Sequence, residues 1–559
     1  MSLDKMRADW EARHAGEFKQ ERKPEAEFVN ESGIKINRAY TPLDLDKQGF
    51  DYEKDLGMPG DYPFVRGLSA SGYRKRLWSQ SLISGYPTPE ESNKFWKSAV
   101  ETGIDTIFMV YDLPVQQGYD PDSPKSRGEV GRTGVSMVSQ RDWETAFDGI
   151  DLDKVRISQV ANAVAAFQIA NHLTLAKKRG IDLSTVSGWC QSDILKEYIC
   201  RGNFIYPPEP SLRLATDAVS YCAKFAPKYH AMSITSSHFS EFLGTPVHDA
   251  AFMLADVFCY VEAALKRGID VDVIAPSIEL SVGTDHYSFF EDIAKYRAIR
   301  KIYSRVFRDR FKAKKPESMM ARIGCGHGGN SLQRQQYLNN IARATICAMI
   351  AALGGAERIN LRAYDEQYGI PTPEAMAVST RVMHVVARET GICDTVDPLA
   401  GSYFVEWLTL EMEKQIVAEL DKIDRQGGVI KCIENGYIKK TLFKDAYQWK
   451  KDFEAGKKIR VGANFANSDE EEGPTRVYRA DPRMEKSRIA AVAELKRKRD
   501  NARVKKALSE LKATAALPAT ATNNLMPAMI DAVEAYATIG EVHGCLRELW
   551  GEYQEPAIF

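Results

Sequence analysis

The sequence predicts an α/β protein of the (β/α)8, or TIM-barrel, class, and three observations carry that expectation. Eight short apolar or β-branched runs alternate with longer helical stretches between about residues 63 and 400. Several helical stretches stop at Lys/Arg followed by Gly, as in "LAKKRG" and "AALKRG", a C-terminal helix signature. The runs also tend to finish on polar or small residues, as barrel strands do where they line a rim. A doubly wound open sheet is the competing arrangement, and the count of eight favours the barrel.

The strand candidates are 77–84, 105–112, 155–161, 184–191, 231–238, 271–280, 319–326 and 358–365. Their ends carry Asp112, Ser158 and Gln159, Gln191, Ser236 to His238, Glu279, Gly324 to His327, and Asp365 with Glu366. Singly, each reads as a turn residue or helix cap. Together they read as an active-site rim. Several runs also hold Ser, Thr, Gly or Ala, where a packed barrel core prefers Val, Ile and Leu, so the axis is expected to have room. Residues 1–60 form a polar N-terminal arm suited to subunit contact, 61–400 the barrel, and 401–559 a helical extension. The charged stretch near 483–516 in that extension reads as solvated helix faces.

Bulk composition excludes several function classes. Lys+Arg total 75 against Asp+Glu 76, which leaves no footprint for nucleic acid or an anionic membrane. Nine scattered Cys without a C-x-x-C pair read as reduced thiols and a cytoplasmic protein. The charged N-terminus has no apolar core region and is not a signal peptide. No run of 18 apolar residues occurs. There is no P-loop, no H-E-x-x-H, no zinc-spaced His/Cys set and no G-x-S-x-G elbow. The glycine-rich "GCGHGGNS" at 324–331 lacks dinucleotide-binding spacing. Arg201 is singular: it closes the helical run "SDILKEYICR" just before Gly202. It either caps that helix, where a cation is mildly favourable, or awaits an anionic ligand.

Several segments carry a resemblance. They are "RGLSASGYRKRLW" (66–78), "GYPTPEESN" (85–93), "DLPVQQGYD" (112–120), "SDILKEY" (192–198), "FIYPPEPSLR" (204–213), "SEFLG" (240–244), "YDEQYGIPT" (364–372) and "DPLAGSYFVE" (397–406). In these segments and their order the chain resembles the large, substrate-binding subunits of the coenzyme-B12-dependent acyl-CoA mutases, the methylmalonyl-CoA mutase family. The resemblance implies a barrel with the CoA ester along its axis and adenosylcobalamin over the rim. It also implies a radical rearrangement in which the thioester-bearing group migrates to the adjacent carbon. The family's cobalt-ligating D-x-H-x-x-G is missing around all nine His. The resemblance therefore implies a separate small B12-binding subunit, an α2β2 heterotetramer, and a G-protein-type repair chaperone as a further partner.

The resemblance also assigns residues. Arg201 matches the arginine that pairs with a substrate carboxylate, a fork suited to that group. His238 matches a donor to the thioester carbonyl, and Gln191 a glutamine beside the substrate. Ile83, Val110, Tyr111 and Ser237 fall at substrate-lining positions. Arg76, Ser79, Ser158 and Ser277 fall along CoA, and Glu241, Glu366, Gly85 and Gly326 against the cobalamin.

The departures from the methylmalonyl enzyme are consistent in kind. Two tyrosines become Ile83 and Ser237, an arginine and a serine near CoA become Ser277 and Glu279, and a His and a Gln become Gly324 and Gly326. Most of these changes remove volume, so the expected substrate is a bulky 2-substituted succinyl-CoA, aryl or alkyl, interconverted with a substituted-methyl malonyl-CoA. Anaerobic breakdown of aromatic compounds needs such a step. Two alternatives stand beside it. One is a mutase for a branched monocarboxylic acyl-CoA of the isobutyryl or 2-hydroxyisobutyryl type. Those enzymes resemble the chain in plan but have glutamine at the Arg201 position, and the hydroxyisobutyryl type has aspartate at Val110. The other is a non-catalytic scaffold subunit.

Overall fold

The computed structural model describes residues 2–556 apart from 81, 102–103, 285–287, 469–472, 474–480 and 482, together with the backbone but not the side chains of Gln80 and Leu82. Parts of the first predicted strand and of the predicted C-terminal extension lie outside the described residues.

The protein is mixed α/β with parallel sheets. Its strands are β1 (Ser79–Gln80), β2 (Leu82–Ser84), β3 (Thr106–Val110), β4 (Arg156–Val160), β5 (Gly188–Gln191), β6 (Tyr229–His230), β7 (Met232–Thr235), β8 (Ile278–Gly283), β9 (Arg322–Gly326) and β10 (Arg358–Asn360). Two five-stranded sheets form, ordered β1-β10-β9-β8-β7 and β2-β3-β4-β5-β6, and every strand pair is parallel. Segments 79–84 and 229–235 each contribute a strand to both sheets, so the chain passes between the sheets at two places. Long helices such as Pro246–Lys266 and Phe289–Asp309 connect successive strands, as parallel pairing requires.

Period-two alternation sorts the side chains. Ile107, Met109 and Tyr111, Ile157, Cys190, Met232 and Ile234, Leu280 and Val282, and Ile323 and Cys325 are buried in the large core shared with the helices. The opposite faces carry Phe108 and Val110, Ser158 and Val160, Trp189 and Gln191, Glu279 and Ser281, Gly324 and Gly326, and Arg358. These faces look at one another. Arg358 of the first sheet stands 4.4 Å over the Trp189 ring of the second. A separate small cluster of Phe108, Val160 and Trp189, with Ile83 and Val110 against it, lies in the gap.

The predicted strand at 271–280 is displaced. Asp270 caps a short helix, Val271–Ile274, by accepting from the Asp272 N–H at 2.7 Å, and Pro276 sits in the turn that follows. The strand starts only at Ile278. Glu279 therefore lies at the start of β8, not at its end as the sequence reading had it.

The helix Leu3–Phe18 in the arm buries none of its residues and is tied down by Arg7 to Asp44 at 2.9 Å. Beyond residue 400 the helix Tyr403–Arg425 packs on Phe289–Asp309. Buried Arg297 bridges the two regions, paired with Asp397 at 2.6 Å and Glu406 at 2.7 Å. The last helix, Ile539–Trp550, docks through His543 Nδ1, 2.7 Å from the Tyr206 hydroxyl. Among the described residues no helix is long and apolar enough to cross a membrane.

Candidate functional site

The C-terminal ends of the strands gather most of the sequence-predicted rim. Past Gln191 the chain turns through Asp193, whose carboxylate accepts from the Thr235 N–H at 3.1 Å and the Tyr260 hydroxyl at 3.1 Å. This fixes the segment after β5 to the end of β7. A helical turn, Glu197–Arg201, follows and is closed by Gly202 with φ 87°, a left-handed value suited to glycine. Glu197 is fully buried and accepts from Lys196, from the Asn203 N–H at 3.0 Å and from Arg201 Nη1 at 3.1 Å. Burial works against its ionisation, but Lys196 and Arg201 outweigh burial and hold the carboxyl below the usual range. Arg201 thus ends its helical turn with one nitrogen on Glu197 and keeps 27% of its side chain exposed.

His238 sits in the short helix Ser237–Glu241 directly after β7, and this helix packs against residues 197–201. Its Nδ1 is buried without a hydrogen-bond partner. Burial, with Lys196, Arg201 and Arg362 nearby, holds the imidazole far below its ordinary pKa and therefore neutral. The Gln191 carboxamide oxygen is likewise buried and unpartnered. Ser237 Oγ lies 2.7 Å from Thr235 Oγ1. Ile83 and Val110 face inward onto Phe108, Val160 and Trp189.

One residue of the predicted set is turned away from the site, and a second, Gly85, stays at the end of β2 under tight packing. Tyr111 follows Val110 and so faces the other way; its hydroxyl donates to Gln159 Oε1 at 2.7 Å in the buried layer behind the sheet. Gly85 is a packing position: a Cβ there would lie 2.4 Å from the Val110 carbonyl oxygen and 3.0 Å from the Val135 nitrogen. Asp112, expected on the rim, is a buried anchor. It accepts from Val115 N–H at 2.9 Å and Gly131 N–H at 2.8 Å, and burial pushes its pKa up to about 7.

Glu241 and Glu366 meet at one cation, Arg362, at 3.9 Å and 2.7 Å. Arg362 also donates through Nε to the His327 carbonyl at 2.9 Å, and His327 Nε2 lies 2.8 Å from Ser331 Oγ. Glu241 Oε1 further accepts from the Gly329 N–H at 3.0 Å. One oxygen of each carboxylate is engaged in this way, and the other carries no bond among the described residues. Arg362 escaped the sequence reading, although its i,i+4 spacing to Glu366 was visible.

At the opposite, N-terminal end of the strands lies a cavity of about 530 Å³. Its lining includes Arg66, Lys75, Arg76, Ser79, Arg156 and Arg322, with Trp189, Glu279 and Arg358 bordering it. Arg76 and Ser79 thus fall together here, and Ser277 lies at the same end, in the turn before β8. Ser158 is one inward position above Arg156 on β4, with its hydroxyl buried and unpartnered. The space opened by Gly324 is not empty: a Cβ there would meet Arg358 Nη2 at 2.5 Å, and one at Gly326 would meet the Ser237 Cβ at 2.9 Å. The expected gain in room is therefore refilled at these two positions.

A parallel α/β protein with a basic basin at one strand end and a charged rim at the other is what this geometry defines. The model of the methylmalonyl-CoA mutase family matches residues 29–552, and the chain belongs to that family. Its members are coenzyme-B12-dependent CoA mutases, so the chain is an enzyme of the isomerase class. It is 37% identical to the 2-hydroxyisobutanoyl-CoA mutase large subunit of Aquincola tertiaricarbonis over 558 residues, 100% of this chain and 98% of that one. It is 34% identical to a methylmalonyl-CoA mutase of Rhizobium meliloti (strain 1021) over 93% of this chain and 72% of the relative. It is 30% identical to the mitochondrial methylmalonyl-CoA mutase of Homo sapiens over 93% and 68%. The rim fits the family's cofactor: the spare carboxylate oxygens of Glu241 and Glu366 can accept from the hydroxyl and amide donors that adenosylcobalamin presents.

Proposed function

We propose that the chain is the large subunit of an adenosylcobalamin-dependent acyl-CoA mutase. In this reading the two sheets are halves of one closed eight-stranded barrel, and an acyl-CoA ester lies between them. The observation that carries it is a column of unpartnered polar atoms: Trp189 Nε1, Ser158 Oγ, Ser233 Oγ, Gln191 Oε1 and His238 Nδ1. Each buried atom left without a partner costs about 1–3 kcal/mol. The amides and thioester of an extended CoA chain would satisfy them. The basin below, with Arg76, Ser79 and neighbouring cations, suits the nucleotide phosphates.

At the upper end the acyl group meets Gln191, His238 and Arg201. A neutral His238 can give one N–H to the thioester oxygen and steady charge that develops there. Arg201 can turn its exposed guanidinium edge to a substrate carboxylate. Adenosylcobalamin, when bound, supplies the radical chemistry that moves a hydrogen atom. Glu241 and Glu366 would hold its donors, and a separate small subunit in the cytoplasm would supply the cobalt ligand, in an α2β2 assembly. Ile83, Val110 and Ser237 are themselves smaller than an aromatic side chain, which favours a 2-substituted succinyl-CoA.

A second reading has its own support. The full-length match to a 2-hydroxyisobutanoyl-CoA mutase large subunit, and the existing Arg201–Glu197 pair, favour a branched monocarboxylic ester with Arg201 as a helix-end residue. The chain mixed with its small subunit and adenosylcobalamin, offered methylmalonyl-, phenylsuccinyl-, alkylsuccinyl- and 2-hydroxyisobutyryl-CoA, separates the two by the mass spectrum of the products. Turnover of substituted succinyl esters supports the first reading, turnover of the hydroxyisobutyryl ester alone supports the second, and no isomerised product from any ester refutes both.

A further inference from the structure

The gap between the sheets is closed off just above the basic basin. Arg358 Nε and Nη2 lie 2.8 Å and 2.7 Å from the same carboxylate oxygen of Glu279. The guanidinium carbon stands 4.4 Å over the Trp189 ring, and Trp189 packs edge-on against Phe108 with centroids 4.6 Å apart. Glu279 and Arg358 belong to one sheet, Trp189 and Phe108 to the other, and all four are buried. Gln191 is the next inward residue after Trp189 on β5, about 6–7 Å further along the strand. A ligand reaching from the basin to Gln191 must pass this layer.

Both Arg358 contacts go to one oxygen, so the pair lacks the two-oxygen fork of the strongest arginine–carboxylate pairs. The guanidinium rests on Gly324, where any Cβ would collide with it. Withdrawn, it would uncover bare backbone along which a slender chain can run. The Trp189 indole N–H has no acceptor while the layer is closed. Below lie several cations, a setting where phosphate would offer Arg358 a more highly charged partner than Glu279.

We propose that Arg358 is a ligand-operated latch. In the free chain it closes the passage between the sheets, held by Glu279 and the face of Trp189. A phosphate-bearing acyl thioester entering the basin draws it off Trp189 and opens the way to Gln191 and His238. The proposal rests on the CoA-ester reading above.

The test is a titration of the full chain with free coenzyme A, followed at once by calorimetry and by tryptophan emission. Trp189→Phe, subtracted from the parent, isolates the Trp189 component. The expected result is a shift in that component that saturates with the same midpoint as the heat, and loss of the shift in Arg358→Met. A Glu279→Gln/Arg358→Met double variant repeats the measurement without a buried unpaired carboxylate, in case the single variant folds poorly. Heat of binding with an unchanged Trp189 component overturns the latch and leaves the CoA reading standing. Absence of any heat overturns the CoA reading, and the latch falls with it.

Discussion

Replacing Arg201 with Gln separates its two roles, because the structure sets a different magnitude for each. In the fold, Arg201 gives one hydrogen bond of 3.1 Å to Glu197 and is partly solvated. Glu197 keeps Lys196 and the Asn203 N–H in the variant. An i,i+4 pair of this kind contributes about 0.3–1 kcal/mol. A substrate carboxylate held by charge-assisted hydrogen bonds is worth about 1.5–3 kcal/mol, or roughly a 10- to 150-fold loss of kcat/KM when the charge is removed. Arg201→Gln should therefore unfold in urea within about 1 kcal/mol of the parent. It should lose roughly 10- to 150-fold in kcat/KM on a carboxylate-bearing ester, and little on an uncharged branched ester. Steady-state kinetics on both esters, with unfolding curves on the same preparations, reads this out. A large stability loss with equal kinetic loss on both esters would refute the clamp and leave Arg201 as a helix-end residue.

Three further predictions concern the frame. Gly85→Ala should destabilise by about 1–3 kcal/mol or more, since the atoms in its way are backbone; an unfolding midpoint equal to the parent's would contradict the packing role. Arg297→Met leaves Asp397 and Glu406 buried without their main cation and should cost about 3–5 kcal/mol by urea unfolding; a loss below about 1 kcal/mol would show the bridge to be dispensable. His172 is buried against Trp143, and burial pushes its pKa down to about 3. The unfolded chain takes up this proton below about pH 6.5 and the folded chain does not, so folded-state stability falls as pH drops from about 6.5 towards 3. His172→Phe removes that liability, and its stability relative to the parent should rise by about 1.4 kcal/mol for each pH unit below about 6.5. A difference independent of pH would contradict a neutral buried imidazole.

Short apolar runs set between helical stretches made the strands legible, while the faces of those strands come from the period-two alternation that the structure shows. Phe108 and Val110 point inward while Met109 and Tyr111 point outward, so parity alone already argued against Val110 and Tyr111 both facing a substrate. The displaced β8 shows the limit of that signal. "VDVIAPSIEL" is an apolar run whose first half is capped into a helix by Asp270, and a short apolar run does not distinguish the two states. At the rim, Arg201, Gln191 and His238 were found by resemblance, and the local pairs Glu197–Arg201 and Arg362–Glu366 were readable from i,i+4 spacing. The Glu279–Arg358 pair joins positions 79 residues apart. Nothing local announces it, and so the volume removed at Gly324 was read as free space when Arg358 fills it.

The most direct test of the ester's placement is photolabelling of the full chain with two coenzyme A esters, one carrying the photoreactive group on the acyl end and one on the adenine. Peptide mapping should place the acyl label on residues near 191, 201 and 237–241, and the adenine label on residues near 66–79 and 322. Labels found instead in the outer groove between the helices Pro208–Phe225 and Pro246–Lys266, which Trp550 also lines, would contradict an ester held between the two sheets.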